Sequence, residues 1–429
     1  MNNDEFNGLL IVADDLSGAA DCAAGFARHA VTTVAMGVQP LRHGAQVLAV
    51  DLDSRRVSAH AAAHLHDTLL SDPGFASMAV YKKIDSTLRG NVAAEVRALQ
   101  AHRGLALVAP ALPAMGRTTS GGIQLLHGMP VDQSDVWRNE GLHGTADLVA
   151  SLRGEQLRCE RVDLATVRDP AALSRRLHAA LEGEVQALVC DAQTDADLRN
   201  LALCSQALRD RLFWVGSAGL AAHLPEALGL APAQALRVTR SGPVLCVVGS
   251  MSTHSRDQAD QLAQKGGVHR EEISAATLLD PAQQGARHAL ILKLLGLLSE
   301  GRDAVLLLDQ TARDPGQAVA LSQALAAWLQ PTFSIIGSLM ATGGETAGAL
   351  LGCAGINCLE IAGELAPGVV LSRARYRQRE LNIVTKAGAF GQPDTLLRAW
   401  QQLCTPAIGA AITPTQVPIP VSSKEINHV

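Results

Sequence analysis

Two adjacent carboxylates, Asp14-Asp15, close the apolar run Gly8-Leu-Leu-Ile-Val-Ala13 and lead into Leu16-Ser17-Gly18. Such a run reads as a buried parallel strand, and carboxylates at its C-terminal end stand where open α/β sheets bind ligands. There they could accept hydrogen bonds from substrate hydroxyls or act as a general base. The competing role is structural, with Asp15 or Ser17 capping the helix that follows. A denser cluster lies at Tyr81-Lys82-Lys83-Ile84-Asp85-Ser86-Thr87-Leu88-Arg89-Gly90-Asn91, directly after another apolar run. This mixture suits a small polyhydroxylated anion, the cations meeting a carboxylate and Asp and Asn meeting hydroxyls. A solvated turn capped by Asp85 or Ser86 is the plainer alternative. Arg55, in Asp51-Leu-Asp-Ser-Arg-Arg56, stands at a third strand end and carries the planar fork that binds carboxylates bidentately. Pro110–Gly122, which contains Gly116-Arg117, is a polar-tipped loop that either covers a site or is an ordinary hairpin.

The second half of the chain holds glycine-rich turns instead. Ala341-Thr342-Gly343-Gly344-Glu345-Thr346 opens a helix, Lys386-Ala387-Gly388-Ala389-Phe390-Gly391 follows a strand, and Gly249-Ser250-Met251-Ser252 follows another. Glycine lets a backbone approach phosphates, and a helix N-terminus supplies free N–H groups and a positive dipole end. Lys386 is a candidate for neutralising a phosphate. His60, His64 and His66 sit close in sequence, but no Cys or carboxylate completes a metal set, so metal ligands are left unassigned. A Gly-Lys dipeptide is missing, which removes a Walker A loop, and no G-x-G-x-x-G opens an N-terminal βαβ unit.

Elements with a period of two or 3.6 alternate along the chain. Strands are expected at Gly8–Ala13, Val31–Met36, Gln46–Leu52, Ala76–Ile84, Leu105–Ala109, Ala187–Cys190, Val244–Val248, Ala304–Leu308, Phe333–Ile336 and Leu381–Thr385. Helices are expected at Ser17–His29 and Ser58–Leu70, and near Arg256–Lys265, Ala286–Leu298 and Gly316–Trp328. The alternation gives an α/β fold class, two α/β domains with mainly parallel sheets and a cleft between them. The Pro- and Gly-bounded stretch 229–242 marks their connection, so residues 1–235 are expected to form the first domain and 236–405 the second. The Pro-rich 406–429 is expected to be a flexible tail.

Composition agrees with this and narrows the partners. Of 429 residues 48% are hydrophobic and only 3% aromatic, which suits helices packed on parallel sheets. A net charge of −5 without a basic stripe argues against nucleic acid as a partner. No apolar run reaches the ~18 residues needed to span a bilayer, and no membrane partner is expected. Eight cysteines are scattered without a C-x-x-C, and the N-terminus lacks a signal peptide's basic region, so the chain is expected in the cytoplasm. A homo-oligomer is compatible with the sequence, which carries no signal for the number of copies.

Taken together, Val12-Ala-Asp-Asp-Leu-Ser-Gly-Ala-Ala-Asp21, Lys82-Lys-Ile-Asp-Ser-Thr-Leu-Arg-Gly-Asn91, Ala341-Thr-Gly-Gly-Glu-Thr346 and Lys386-Ala-Gly-Ala-Phe-Gly391 resemble the four-carbon acid sugar kinase family. The resemblance covers about residues 8–403, with the motifs in the family's order. It implies a first domain that binds the acid sugar, a second that binds ATP with Mg²⁺, and phosphoryl transfer to O4 of a tetronate. On this resemblance Asp14, Asp15, Arg55, Lys82, Lys83, Ile84, Asp85 and Arg89 belong to the acid-sugar site. Ser250, Ser252, Gly343, Gly344, Glu345, Thr346, Lys386, Gly388, Ala389, Phe390 and Gly391 belong to the nucleotide site. Asp85 or Asp14 would take the O4 proton, Arg55 and Lys83 would hold the substrate carboxylate, and Lys82 would reach toward the phosphoryl. Ser17 and Cys22-Ala-Ala24 depart from the commoner Thr and Thr-Gly-Val. The Asp51–Arg56 and Lys82–Asp85 strings look more like threonate and erythronate kinases than the 3-oxo-tetronate branch, with D-threonate preferred. The rivals are a hydroxy-acid dehydrogenase, which lacks its fingerprint, and a non-catalytic sugar-acid and nucleotide sensor.

Overall fold

The computed structural model describes residues 7–38, 45–140, 142–232, 239–249, 252–309, 317–388 and 390–405. Ser250, Met251, Ala389, the expected domain boundary at 235 and the tail 406–429 lie outside the described residues. The strands of the first half are β1 (Leu9–Ala13), β2 (Thr32–Met36), β3 (Val47–Asp51), β4 (Ala79–Lys83), β5 (Leu105–Ala109), β6 (Arg117–Ser120), β7 (Ile123–Leu126), β8 (Met129–Pro130), β9 (Cys159–Val162), β10 (Ala187–Cys190) and β11 (Leu212–Gly216). Those of the second are β12 (Val244–Val248), β13 (His269–Ser274), β14 (Ala304–Asp309), β15 (Ser338–Thr342), β16 (Cys358–Ala366), β17 (Val369–Tyr376) and β18 (Arg379–Lys386).

Fifteen of these strands form one sheet in the order β13-β14-β12-β15-β18-β17-β16-β2-β3-β1-β4-β11-β5-β10-β9. Each half is built on parallel strands with helical crossovers, to which the second adds the antiparallel β16 and β17; continuous runs such as Leu9–Ala13 suit this, since every residue of that strand is buried. The halves are joined edge to edge. β16 runs antiparallel to β2, pairing Cys358 with Ala35, Leu359 with Val34 and Glu360 with Thr33. β17 then turns back between β16 and β18. One apolar core, including Ile11, Tyr81 and Trp214 from the first half and Leu245, Leu306 and Leu350 from the second, runs along one face. The small sheet β6-β7-β8 stands apart from the large one.

Three helices of the first half matter to the site: α1 (Leu16–Ala24), α2 (Ala59–Leu70) and α3 (Val92–Arg103). α1 stops short of the expected His29. Beyond Gly25 the chain tightens into three-residue turns, Phe26 N–H donating to Ala23 O at 3.0 Å and Ala27 N–H to Ala24 O at 3.3 Å. The strand expected at Phe333–Ile336 is instead a 3₁₀ turn, Gln330–Ser334, started by Pro331. Phe333 and Ile336 are buried in the core, and the strand comes just after them, at Ser338–Thr342. A short apolar run gives no periodicity by which to choose between the two, and Pro331 favours the turn.

Candidate active site

The ends of β1, β3 and β4 bring the first half's charged residues together. Asp14 is 2% exposed and receives Arg55 bidentately, Nε to Oδ2 at 2.7 Å and Nη2 to Oδ1 at 3.0 Å. The same Nη2 donates to Asp15 Oδ1 at 2.7 Å. Burial alone would raise the Asp14 carboxyl, but the Arg55 charge and hydrogen bonds outweigh it and hold it below its usual value. Asp15 is also the N-cap of α1, its Oδ1 accepting from Gly18 N–H at 3.0 Å. The capping role and the site position therefore belong to one residue. Gly90, at φ +90, is required where it stands, since a Cβ there would lie 3.0 Å from Asp14 Oδ2.

Asp85 is fully engaged within its own loop. Oδ1 accepts from Thr87 N–H at 2.7 Å and Thr87 Oγ1 at 2.5 Å, and Oδ2 accepts from Arg89 Nε at 2.8 Å. Burial pushes against ionisation, yet Arg89, Arg55 and Lys83 hold its carboxyl well below the carboxylate range. Asp51 is the opposite case. Buried, with Asp53, Asp15 and Asp14 nearby, its carboxyl is pushed up to about 8 although Asp53 N–H donates to it at 2.9 Å.

Neighbouring residues of a strand point to opposite faces, and this separates the two lysines. Lys83 faces α1, its Nζ donating to Ile84 O at 3.0 Å and lying where a Cβ on Gly18 would come within 2.9 Å. Lys82 faces α2 and α3 and is completely buried. Its Nζ is 2.8 Å from Glu95 Oε2 and 2.9 Å from His66 Nε2. Glu95 Oε1 accepts from Ser54 Oγ at 2.6 Å, and His66 Nδ1 donates to Ala62 O at 2.8 Å. Burial and the Lys82 charge push His66 down to about 4, which keeps it neutral. The expectation that Lys82 reaches the phosphoryl is thus corrected: its ammonium is sealed beneath the site, against Glu95 and His66. The side chain of Ile84 is likewise in the core, and what it offers the site is the carbonyl that holds Lys83.

In the second half, β15 runs straight into the helix Gly344–Cys353 through Gly343 at φ +91. That helix has no side-chain cap, so its first N–H groups are free for a ligand. Thr346 does not face outward. It packs on Gly249, where a Cβ would lie 2.0 Å from Thr346 Oγ1. Lys386 is 1% exposed and donates to Ala387 O at 3.0 Å and Gly388 O at 2.7 Å, so it pins the glycine turn from behind. Burial pushes its ammonium down to about 8. The turn is held from the other side by helix Thr253–Gly266, for which Ser252 is the N-cap. His254 Nε2 meets Gly391 O at 2.7 Å, Ser255 Oγ donates to Gly388 O, and Gln258 donates to Phe390 O at 3.2 Å.

The two half-sites meet. A Cβ on Gly344 would stand 2.9 Å from both Asp15 Oδ2 and Ser17 Oγ, so the helix start abuts the start of α1. Glu345 Oε2 is 3.0 Å from Arg56 Nη2 across the same seam. Sequence reasoning missed Glu95 and His66 as parts of this region. Glu95, in the first turn of α3, had only its helix position as a signal. Among the described residues no group of three or more His, Cys, Asp or Glu side chains could hold a metal ion.

An α/β molecule with a cation-and-carboxylate cluster at one set of strand ends, meeting glycine turns and a helix start without a side-chain cap at another, has the form of a small-molecule phosphotransferase. The chain belongs to the four-carbon acid sugar kinase family. Residues 9–224 match the sugar-binding N-terminal domain and residues 245–396 the nucleotide-binding C-terminal domain. It is 44% identical to a D-threonate kinase of Cupriavidus necator, over 92% of this chain and 97% of that protein. A D-threonate kinase of Salmonella typhimurium is 32% identical, over 91% of this chain and 97% of its own. A Salmonella typhimurium structure described as a putative tRNA synthase aligns with a TM-score of 0.76 at 22% identity, covering 92% of this chain and 99% of that one, and shows the fold.

Proposed function

We propose that this chain transfers the γ-phosphoryl of ATP to the 4-hydroxyl of D-threonate, giving 4-phospho-D-threonate and ADP. The observation that carries this reading is the meeting of the two half-sites, with the helix start at Gly344 against Asp15. Transfer needs the acceptor and the phosphates in contact, and the protein's task is to position them and balance charge. The choice of D-threonate rests on the 44% identical relative of that name.

Lys83, Arg55 and Arg89 supply positive charge for the substrate carboxylate, while Asp14 and Asp85, both ionised, hold the Arg55 and Arg89 guanidinium groups in place. The O4–Pγ bond forms as the bond from Pγ to the bridging oxygen breaks, its electron pair leaving with ADP. Asp15 is the best-placed acceptor for the O4 proton. Both oxygens of Asp14 are taken by Arg55 and both of Asp85 by its own loop, whereas Asp15 Oδ2 faces Gly344. Gly343, Gly344, Gly388 and the helix N–H groups behind them receive the phosphates. Mg²⁺ enters with ATP, bound to its phosphates as part of the substrate. Among the described residues all cysteines are free thiols and no helix is long and apolar enough to cross a membrane. Both facts fit a cytoplasmic site of action, where ATP is found.

The test is ADP release from ATP and Mg²⁺ against D- and L-threonate, D- and L-erythronate, 3-oxo-tetronate and glycerate. Preferred turnover of D-threonate supports the proposal. Preference for another tetronate moves the substrate within the family, and silence across the panel returns the chain to a sensor.

A further inference from the structure

Arg117 lies in a segment that the proposed reaction leaves without a role. It opens β6, just after Gly116, which sits at φ +66 where a Cβ would come within 2.3 Å of the His127 ring. Its backbone is fixed on both sides by Leu112, through Leu112 N–H to Arg117 O at 2.8 Å and Arg117 N–H to Leu112 O at 3.2 Å. From this rigid base the side chain reaches both half-sites. Nη1 donates to Ser86 Oγ at 2.7 Å, inside the acid-sugar loop. The guanidinium also lies 5.1 Å from the centre of the Phe390 ring, in the glycine turn of the nucleotide half. That ring is itself backed by Gly368, where a Cβ would be 2.9 Å from Phe390 Cδ1.

The charge is not spent on a partner carboxylate. Burial, with the nearby Arg89 charge acting in the same direction, outweighs the pull of Asp85 and Asp21 on Arg117 and lowers its affinity for a proton. Asp85 is already held by Arg89. The Nε–H of Arg117 is buried with no hydrogen-bond partner. A guanidinium fixed at both ends, between the acceptor loop and the nucleotide turn, has a donor edge waiting for an oxygen the protein does not provide.

We propose that Arg117 is a further catalytic residue, donating to the equatorial oxygens of the phosphoryl as it passes from ATP to the acceptor. The proposal rests on the phosphotransfer reading but not on which acid accepts. The phosphoryl passes from the nucleotide half to the acid-sugar half, the two sides that Arg117 touches through Phe390 and Ser86, and its charge is spread over three oxygens in transit. A planar donor fork fixed before the reaction stabilises that charge without reorganisation.

Two measurements test it. The first is binding of ADP with aluminium fluoride, a mimic of the transferring phosphoryl, to the full chain without any acid acceptor. The intact protein should hold ADP more tightly with fluoride than without, and Arg117→Met should lose that gain while binding ADP alone as before. Equal gain in both proteins, or none in either, overturns the proposal whatever the acceptor proves to be. The second is turnover with the best acid of the panel. Arg117→Met should lower kcat by about 10²–10³-fold with little change in either KM. Arg117→Lys should recover only part, and added guanidinium should restore part of the turnover of Arg117→Ala, which a purely structural role would not allow. A loss confined to the KM of the acid would make Arg117 a carboxylate clamp and also overturn the proposal. Failure of the wild type on D-threonate would instead count against the proposed substrate, leaving the fluoride result to stand on its own.

Discussion

Asp14 and Asp15 are adjacent in sequence and share Arg55, yet the structure leaves them different work. Asp14 is enclosed and doubly hydrogen bonded, an ionised anchor for Arg55. Asp15 retains an oxygen on the side of the nucleotide half. Asp15→Asn is therefore expected to lower kcat by about 10²–10⁴-fold, the usual worth of a general base, while the Kd for ATP stays unchanged. Steady-state kinetics beside nucleotide titration checks this, and near-normal turnover would remove Asp15 as the proton acceptor. Asp85→Asn should behave otherwise. It removes the charge that Arg89 and Thr87 hold, so the KM for the acid should rise more than kcat falls.

At the scale of elements, the acid-sugar loops rest on the buried group Lys82, Glu95, His66 and Ser54, which ties β4 to α2, α3 and the end of β3. Glu95→Leu would leave the Lys82 ammonium buried and unpaired, at a cost of about 3–5 kcal/mol in urea unfolding. Changing Lys82→Met together with Glu95→Leu should cost much less than the single change, because no isolated charge remains. A double variant as unstable as Glu95→Leu would show that packing, not charge, decides. His66 adds a pH dependence. Its folded value is about 4 against about 6.5 unfolded, so across that window the unfolded chain binds more protons. The stability it contributes is present above about pH 6.5 and is lost as pH falls toward 4, by on the order of 3 kcal/mol. Urea midpoints measured from pH 7 to pH 5 should fall less in His66→Gln than in the wild type.

Over the whole molecule, the antiparallel pair β2–β16 and the shared core make two ligand-binding halves into one sheet. The halves are expected to unfold together. Trp214 lies in the first half, bonded to Ser205, and Trp400 in the second, bonded to Asp303. A variant keeping tryptophan only in the first half (Trp328→Phe with Trp400→Phe) and one keeping it only in the second (Trp137→Phe with Trp214→Phe) should report the same urea midpoint by tryptophan fluorescence; separated midpoints would show two independent units. The Arg56–Glu345 bridge crosses the seam near the surface, with Arg56 60% exposed. Arg56→Ala should cost less than about 1 kcal/mol in stability, since solvent and salt screen such a pair.

The strand ends were legible because continuous apolar runs stop at charged residues, and that pattern placed Asp14, Arg55, Lys83 and Asp85 on one rim. Gly343 and Gly344 were legible for the same local reason, a glycine pair between a strand and a helix. Residue types alone suggested a small polyhydroxylated anion, and the motifs' resemblance to the four-carbon acid sugar kinases supplied the acid and the nucleotide. What the tertiary structure decided was which of these groups remain available. Lys82 and Lys83 read alike in sequence, but one faces α3 and is consumed by Glu95, while the other faces α1. Lys386 reads as a phosphate ligand until the folded turn brings its own carbonyls to it. Arg117 reads as a loop residue until Ser86 and Phe390, 31 and 273 positions away in the chain, arrive at its two sides. Availability depends on long-range partners that no local pattern encodes, so chemistry was readable from the chain and its assignment to particular atoms only from the fold.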